Sequence, residues 1–436
     1  MFNLFADPDI IRLPSIFSIL QKPIAYFIAK RRFDIIPLVA TPLPILTPLS
    51  YFFLSPLPRA PKSSAAYLSI GGGSPIVKYT QAQADLIAAA LKQKGYDNTK
   101  CYFAMRYWNP YTEETLNQMH RDGVNTVVVV PLYPQYSIST SGSSLKLLQE
   151  IFYQQPEKWG PDKVLHTVVP SWYHRSGYVR TMAELIVESI LKYNATELAQ
   201  GLHILYSAHG VPESYIASGD PYKRQIEECV RLISNEIKSI CQQDIVLSHF
   251  SDLSSPSSSH LLTPGETLDQ YIARNVHFHL SFQSRVGPVQ WLKPYTESVI
   301  ATLGDEGVSN LIAVPVSFVS EHIETLEEMD MEYRELALEH GVRHWERTPA
   351  VNTDGRFIAD MAALVAEALA SPVLSLAEAT QSLDLLDDER SDYDDATGGG
   401  SSSPSSSSSS SSPSPGGGSA GADGKGRSGS RLQLNG

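Results

Sequence analysis

Residues 202–222 read LHILYSAHGVPESYIASGDPY. The opening run, LHILYSAHG, is short and apolar, the mark of a strand covered on both faces. Gly210 and Pro212 turn the chain directly afterwards, which predicts the His209 imidazole at the rim of a crevice rather than in a core. Asp220 followed by Pro221 reads as the N-cap and first position of a helix over 220–240. The same unit recurs along the chain. TVVVVPLY (126–133), VLHTVVP (164–170) and LIAVPVSFV (311–319) read as buried strands, and segments of helical period at 80–95, 112–123, 177–193 and 294–307 separate them. Strands alternating with helices predict an α/β protein with parallel sheets flanked by helices, and ligands in such folds collect at the carboxyl ends of the strands.

A length of 436 residues predicts two domains with sizeable cores. The formal charge of −13 and the lack of any basic stripe argue against nucleic acid as a partner. Cys101, Cys229 and Cys241 are too few and too scattered for a disulfide framework, a zinc ribbon or a cysteine-ligated iron–sulfur cluster, so they are expected to be buried free thiols. Residues 35–58 are apolar enough to suggest a membrane span, but six prolines in that window obstruct a regular helix and point to an irregular insertion. Ser/Pro-rich residues 249–270 read as a surface loop, and the acidic then Ser/Gly-rich tail beyond Leu385 reads as disordered.

A second strand-turn-helix unit closes the ordered part: SFVSEHIETLEEMDMEYRELALEH, residues 317–340. His322 and Glu324 fall at the strand end, and Glu324, Glu328 and Glu332 follow one another at steps of four on one helical face. Like charges at that spacing weaken a helix. The row is therefore either a solvated acidic face or a path for a cation, and a wider helical turn would align it better. A histidine at a strand end can take up a proton or bind a metal, though a lone His209 also reads as a loop histidine held by hydrogen bonds.

These segments resemble the ferrochelatase family. SAHGVPESYIASGDPY, SRVGPVQWLKPYT (284–296) and PVSFVSEHIETLEEMDMEY (315–333) match its signature segments. FNLFADPDIIRLP (2–14), SIGGGSPI (69–76), MRYWNPYTEETLNQM (105–119) and PLYPQYSISTSGSSL (131–145) resemble its plant, algal and cyanobacterial members in particular. The resemblance implies two similar Rossmann-like, chelatase-like domains. The first would occupy 1–168, with 33–58 as an insertion and 348–372 packing back on it. The second would occupy 169–347, with 249–279 as a loop insertion, and 386–436 would be a disordered tail. The family's opening strand and glycine-rich turn have no counterpart after Met1, so the first strand of domain one is expected to be missing.

The activity implied is insertion of ferrous iron into protoporphyrin IX to give protoheme, with iron as substrate and no resident cofactor or iron–sulfur cluster. His209 and Glu324 match the family's catalytic pair, with His322 alongside. Whether His209 acts as base, iron ligand or both stays open. Glu328 and Glu332 fall on the acidic face proposed as a metal or proton path, and Arg106, Tyr107, Tyr67, Ser74, Ser139 and Trp291 on positions lining the porphyrin cleft. Ordinary packing and turn chemistry would also place such residues there. A plastid location, peripheral to a membrane, is implied as well, with the targeting sequence absent from this chain. Alternatives are a chelatase for another divalent metal and a catalytically impaired tetrapyrrole-binding remnant.

Overall fold

Strand β3 (Leu202–His209) lies at the centre of a four-stranded sheet, between β4 (Val276–Gln283) and β5 (Asn310–Pro315); β6 (His344–Arg347) pairs with the far side of β5. All four strands run parallel. A separate parallel pair joins β1 (Thr126–Val129) to β2 (Leu165–Val168). The α/β reading of the sequence holds. The computed structural model describes residues 59–242, 267–286 and 289–370. The expected N-terminal segment, the 33–58 insertion, residues 249–266 and the tail beyond 385 lie outside them.

Side chains alternate across β3 with the strand period of two, and this assigns them to two cores. Ile204, Tyr206 and Ala208 face a large cluster built on the helices Ser176–Ile190 and Tyr222–Cys241. In the second of these helices Ile226, Cys229, Ile233, Ile237 and Ile240 recur every three or four residues, so one stripe is buried and the charged residues face outward. Leu205 faces the other way, towards Leu311, Ala313, Ile300, Met329 and Trp345. A third cluster around β1 and β2 stacks Phe152 on Trp159 at 5.2 Å. Cys229 and Cys241 are buried and Cys101 partly so, all three as free thiols. Burial pushes the Cys229 thiol up to about 12 and the other two to about 11.

The last helix, Gly355–Ala370, packs against the helices Ile76–Gln93 and Ser176–Ile190 and touches β1 and β2. Arg175 grips it through Asp360 at 2.9 Å and Glu367 at 2.7 Å. Gly177 sits so close to Asp360 that a β-carbon there would come within 2.4 Å of the carboxyl carbon.

Two strands escape the sequence reading. Residues 276–279 were assigned to the 249–279 loop, yet Leu268–Asn275 is a helix and β4 runs from Val276 to Gln283. β4 and β6 are edge strands, and VHFHLSFQ and HWER carry polar residues where the central strands are apolar. The helix of the 317–340 unit begins at Glu324 and runs to Glu332 as a π-helix, continuing as an α-helix over Tyr333–Glu339.

Candidate active site

The register His209↔Gln283 and Ser207↔Pro315 brings the carboxyl ends of β3, β4 and β5 level. The chain leaving β3 is fixed at His209. Its backbone N–H donates to Ser317 Oγ at 2.9 Å, and its carbonyl accepts from Tyr222 OH at 2.8 Å. Gly210 follows because space runs out: a β-carbon there would lie 2.8 Å from the Gln283 carbonyl and 3.3 Å from the Trp291 ring. Ser284, just past β4, adopts φ 63°, a left-handed conformation that a side chain rarely takes.

These elements converge on one pair. His209 Nδ1 lies 2.8 Å from Glu324 Oε2, across the gap between the end of β3 and the π-helix. Burial disfavours the charged imidazolium, but the charge and hydrogen bond of Glu324 outweigh it, with help from Glu328, and the His209 pKa is raised. Burial likewise works against the Glu324 carboxylate, yet His209, His322 and a hydrogen bond from Ser284 hold its pKa at about 2. An ionised Glu324 can only accept, so Nδ1 carries the proton and Nε2 of the neutral ring keeps its lone pair.

Glu328 is the third member. Ser284 Oγ donates to Glu324 Oε2 at 2.9 Å and lies 3.1 Å from Glu328 Oε2, while Tyr333 OH donates to Glu328 Oε1 at 2.7 Å. Burial and the neighbouring Glu324 charge push Glu328 up to about 7 despite both hydrogen bonds. Two adjacent carboxylates thus titrate far apart, one fixed as an anion and one poised near neutrality. His322 packs edge-on against Phe318 at 4.5 Å, and burial lowers its pKa. Among the described residues no group of three or more His, Cys, Asp or Glu side chains forms a metal cage.

The pair lies on the wall of a cavity of about 2160 Å³, larger than a typical small-molecule pocket. Arg106, Tyr107, Ser139, Trp291, His322 and Glu328 also line it. Arg106 Nε donates to Ser143 Oγ at 3.2 Å, and Tyr107 OH lies 3.2 Å from the same oxygen, so the two are held together at the start of the helix Ser143–Gln154. Trp291 Nε1 donates to the Val286 carbonyl at 2.7 Å. Ser139 lies in a π-turn, 3.1 Å from Ser137 Oγ. Tyr67, Ser74 and Glu332 are not among the lining residues; Tyr67 still feels Glu324, whose charge adds to burial in raising its phenol pKa.

Sequence reasoning missed several residues here. Gln283 ends a strand it did not recognise and Ser284 follows it, and Tyr133 lies on the cavity wall with its phenol pKa raised by burial and by Glu324. Asp220, read as a helix cap, does more. Buried, it accepts from Tyr222 N–H at 3.0 Å, and also from Ser137 Oγ at 2.8 Å and Ile138 N–H at 2.9 Å. One carboxylate therefore ties the Ser139 turn to the tyrosine that holds His209. The Asp–Pro pair signals the cap, but nothing local in the sequence signals the distant partners.

Comparison with known proteins assigns the chain to a family. The ferrochelatase family model matches residues 34–369, well over half of the chain. Ferrochelatase-2, chloroplastic, of Arabidopsis thaliana is 45% identical over 391 residues, covering 88% of this chain and 63% of that one. Ferrochelatase of Nostoc punctiforme is 42% identical over 385 residues, covering 87% of this chain and 80% of that one. The chain thus spans less than two thirds of the length of the Arabidopsis relative. Among solved structures, SirB from Bacillus subtilis with Fe3+ aligns at TM-score 0.40 and 13% identity over 65% of this chain and 89% of that one, too distant to bear on the argument. The chain belongs to the ferrochelatase family.

Proposed function

We propose that this chain inserts ferrous iron into protoporphyrin IX, releasing two protons and forming protoheme. The observation that carries the reading is the His209–Glu324 pair on the wall of a cavity large enough for a macrocycle. Metallation exchanges two pyrrole protons for one divalent cation, so the site needs a proton acceptor facing the ring and anions that neutralise what arrives. His209 Nε2 supplies the acceptor. Glu324, ionised throughout the neutral range, stabilises the imidazolium that forms, as a buried carboxylate does for a catalytic histidine. Glu328, with its pKa at about 7, takes up and releases protons near neutrality and offers a carboxylate oxygen to the incoming cation when ionised. Arg106 and Tyr107 anchor polar edges of the ring, and Trp291 covers an apolar part.

The setting follows from the same surface. Trp108, Val286 and Val289 are exposed residues on the cavity lining, 63%, 44% and 55% accessible. Such side chains suit a peripheral contact in which a poorly soluble substrate enters from a membrane. Among the described residues no helix is long and apolar enough to cross a membrane. The plant relative's name places that protein in the chloroplast, which supports a plastid location here. The test is anaerobic turnover by the full chain with ferrous iron and protoporphyrin, followed by loss of porphyrin fluorescence. Catalysed loss that saturates in both substrates is the expected result; porphyrin that binds and is never metallated would leave a binding protein instead.

A further inference from the structure

The π-helix that carries Glu324 and Glu328 is an uncommon element, and something must hold it in that form. Its last turn closes with Tyr333 N–H on the Glu328 carbonyl, a step of five residues. Relaxing to an α-helix would move that pairing to a step of four and turn the following residues by about 100°. Tyr333 would then swing away from Glu328, to whose Oε1 its hydroxyl donates at 2.7 Å across that five-residue step.

One side chain spans the element. Arg347, at the end of β6, donates through Nη1 to Glu321 Oε1 at 2.9 Å and through Nη2 to Asp330 Oδ2 at 2.9 Å. Arg347 and Glu321 are almost wholly buried, their side chains 9% and 7% accessible. Glu321 also accepts from Ala350 N–H at 3.0 Å and from the Thr325 hydroxyl, which in turn accepts from His322 N–H at 3.0 Å. The guanidinium is a rigid planar fork. Its two arms reach acceptors nine residues apart in sequence, before and within the π-helix, so a change of register between them would carry Asp330 off its arm.

We propose that Arg347 is a positioning residue that clamps the π-helix in register, so that Glu328 keeps its Tyr333 partner and its place beside Ser284 on the cavity wall. The proposal rests on the reading of Glu324 and Glu328 as the metal-handling surface, and its test separates the clamp from that reading. Arg347→Lys keeps the charge but loses the fork, and Asp330→Asn loosens only the more exposed arm, so it is the variant that decides should Arg347→Lys not fold. Hydrogen exchange across residues 321–332 of the full chain, with exchange in β3 and β5 as internal control, reads how firmly the element is held. Exchange in 321–332 should speed at least tenfold in each variant with β3 and β5 unchanged. The KM for ferrous iron should rise several-fold with a smaller effect on kcat, and the double variant should be no worse than Arg347→Lys alone. Wild-type exchange in 321–332 in both variants, or equal slowing of kcat with KM unmoved, would overturn the clamp. A wild-type chain without insertion activity would sink the functional reading alone, because exchange still decides the clamp.

Discussion

His209 is held by its backbone N–H, its carbonyl and its ring at once, which is more than a loop histidine needs for stability. Removing the ring should leave the fold in place, since the side chain is 38% exposed on a cavity wall, and should cost insertion about 10²–10⁴-fold, the usual worth of a positioned acid–base group. His209→Ala with an unchanged melting temperature and most of its turnover would take the histidine out of the mechanism. Glu328 offers a test by pH. Its carboxyl is protonated below about 7 and ionised above it, so the KM for ferrous iron should fall as pH rises through that value. Glu328→Gln should flatten this dependence, and an unaltered profile would separate Glu328 from metal uptake. His209 was legible in the sequence because it follows a buried strand, where parallel sheets expose their loops, and Glu328 because it continues the row of glutamates at steps of four. Ser284, which bridges the two glutamates, was not: the strand before it, VHFHLSFQ, carries histidines and a glutamine at a sheet edge and lacks the apolar run that marks β3 and β5. The pKa separation of the two glutamates was equally out of reach, since it arises from burial and from the contact of Glu324 with His209, 115 positions away in sequence.

At the scale of elements, the central strands and long helices could be read from periodicity, because both faces of β3 and β5 are covered and each helix buries one stripe. A wider turn for the acidic row was anticipated from its spacing; what holds that turn, Arg347 from another strand, was not. The packing of the last helix on the body of the protein also depends on distant contacts. There Arg175, Gly177 and Asp360 lock the helices Ser176–Ile190 and Gly355–Ala370 together. An alanine at Gly177 would drive its methyl group into Asp360, and overpacking of this kind costs about 1–3 kcal/mol. Gly177→Ala should therefore shift the denaturant midpoint down without changing the KM for either substrate. An unshifted midpoint would mean that the two helices part easily, contrary to this packing.

For the molecule as a whole, the proposed entry of porphyrin is the exposed apolar rim, and the net charge of −13 gives no general attraction to anionic lipid. Replacing Trp108 and Val289 together by serine should weaken flotation with lipid vesicles and raise the KM for membrane-borne porphyrin, while detergent-solubilised porphyrin is metallated as before. Equal flotation of the variant and the wild type would move the membrane contact elsewhere. The central claim is that the His209–Glu324 pair converts a bound porphyrin into a metallated one. It is tested most directly by single-turnover insertion in Glu324→Gln beside the wild type, with protoporphyrin bound beforehand and ferrous iron added anaerobically in excess. Glutamine keeps the shape but removes the charge that supports the imidazolium, so the variant should bind porphyrin as tightly as the wild type and insert iron at least a hundredfold more slowly. Insertion at the wild-type rate in Glu324→Gln would contradict the account.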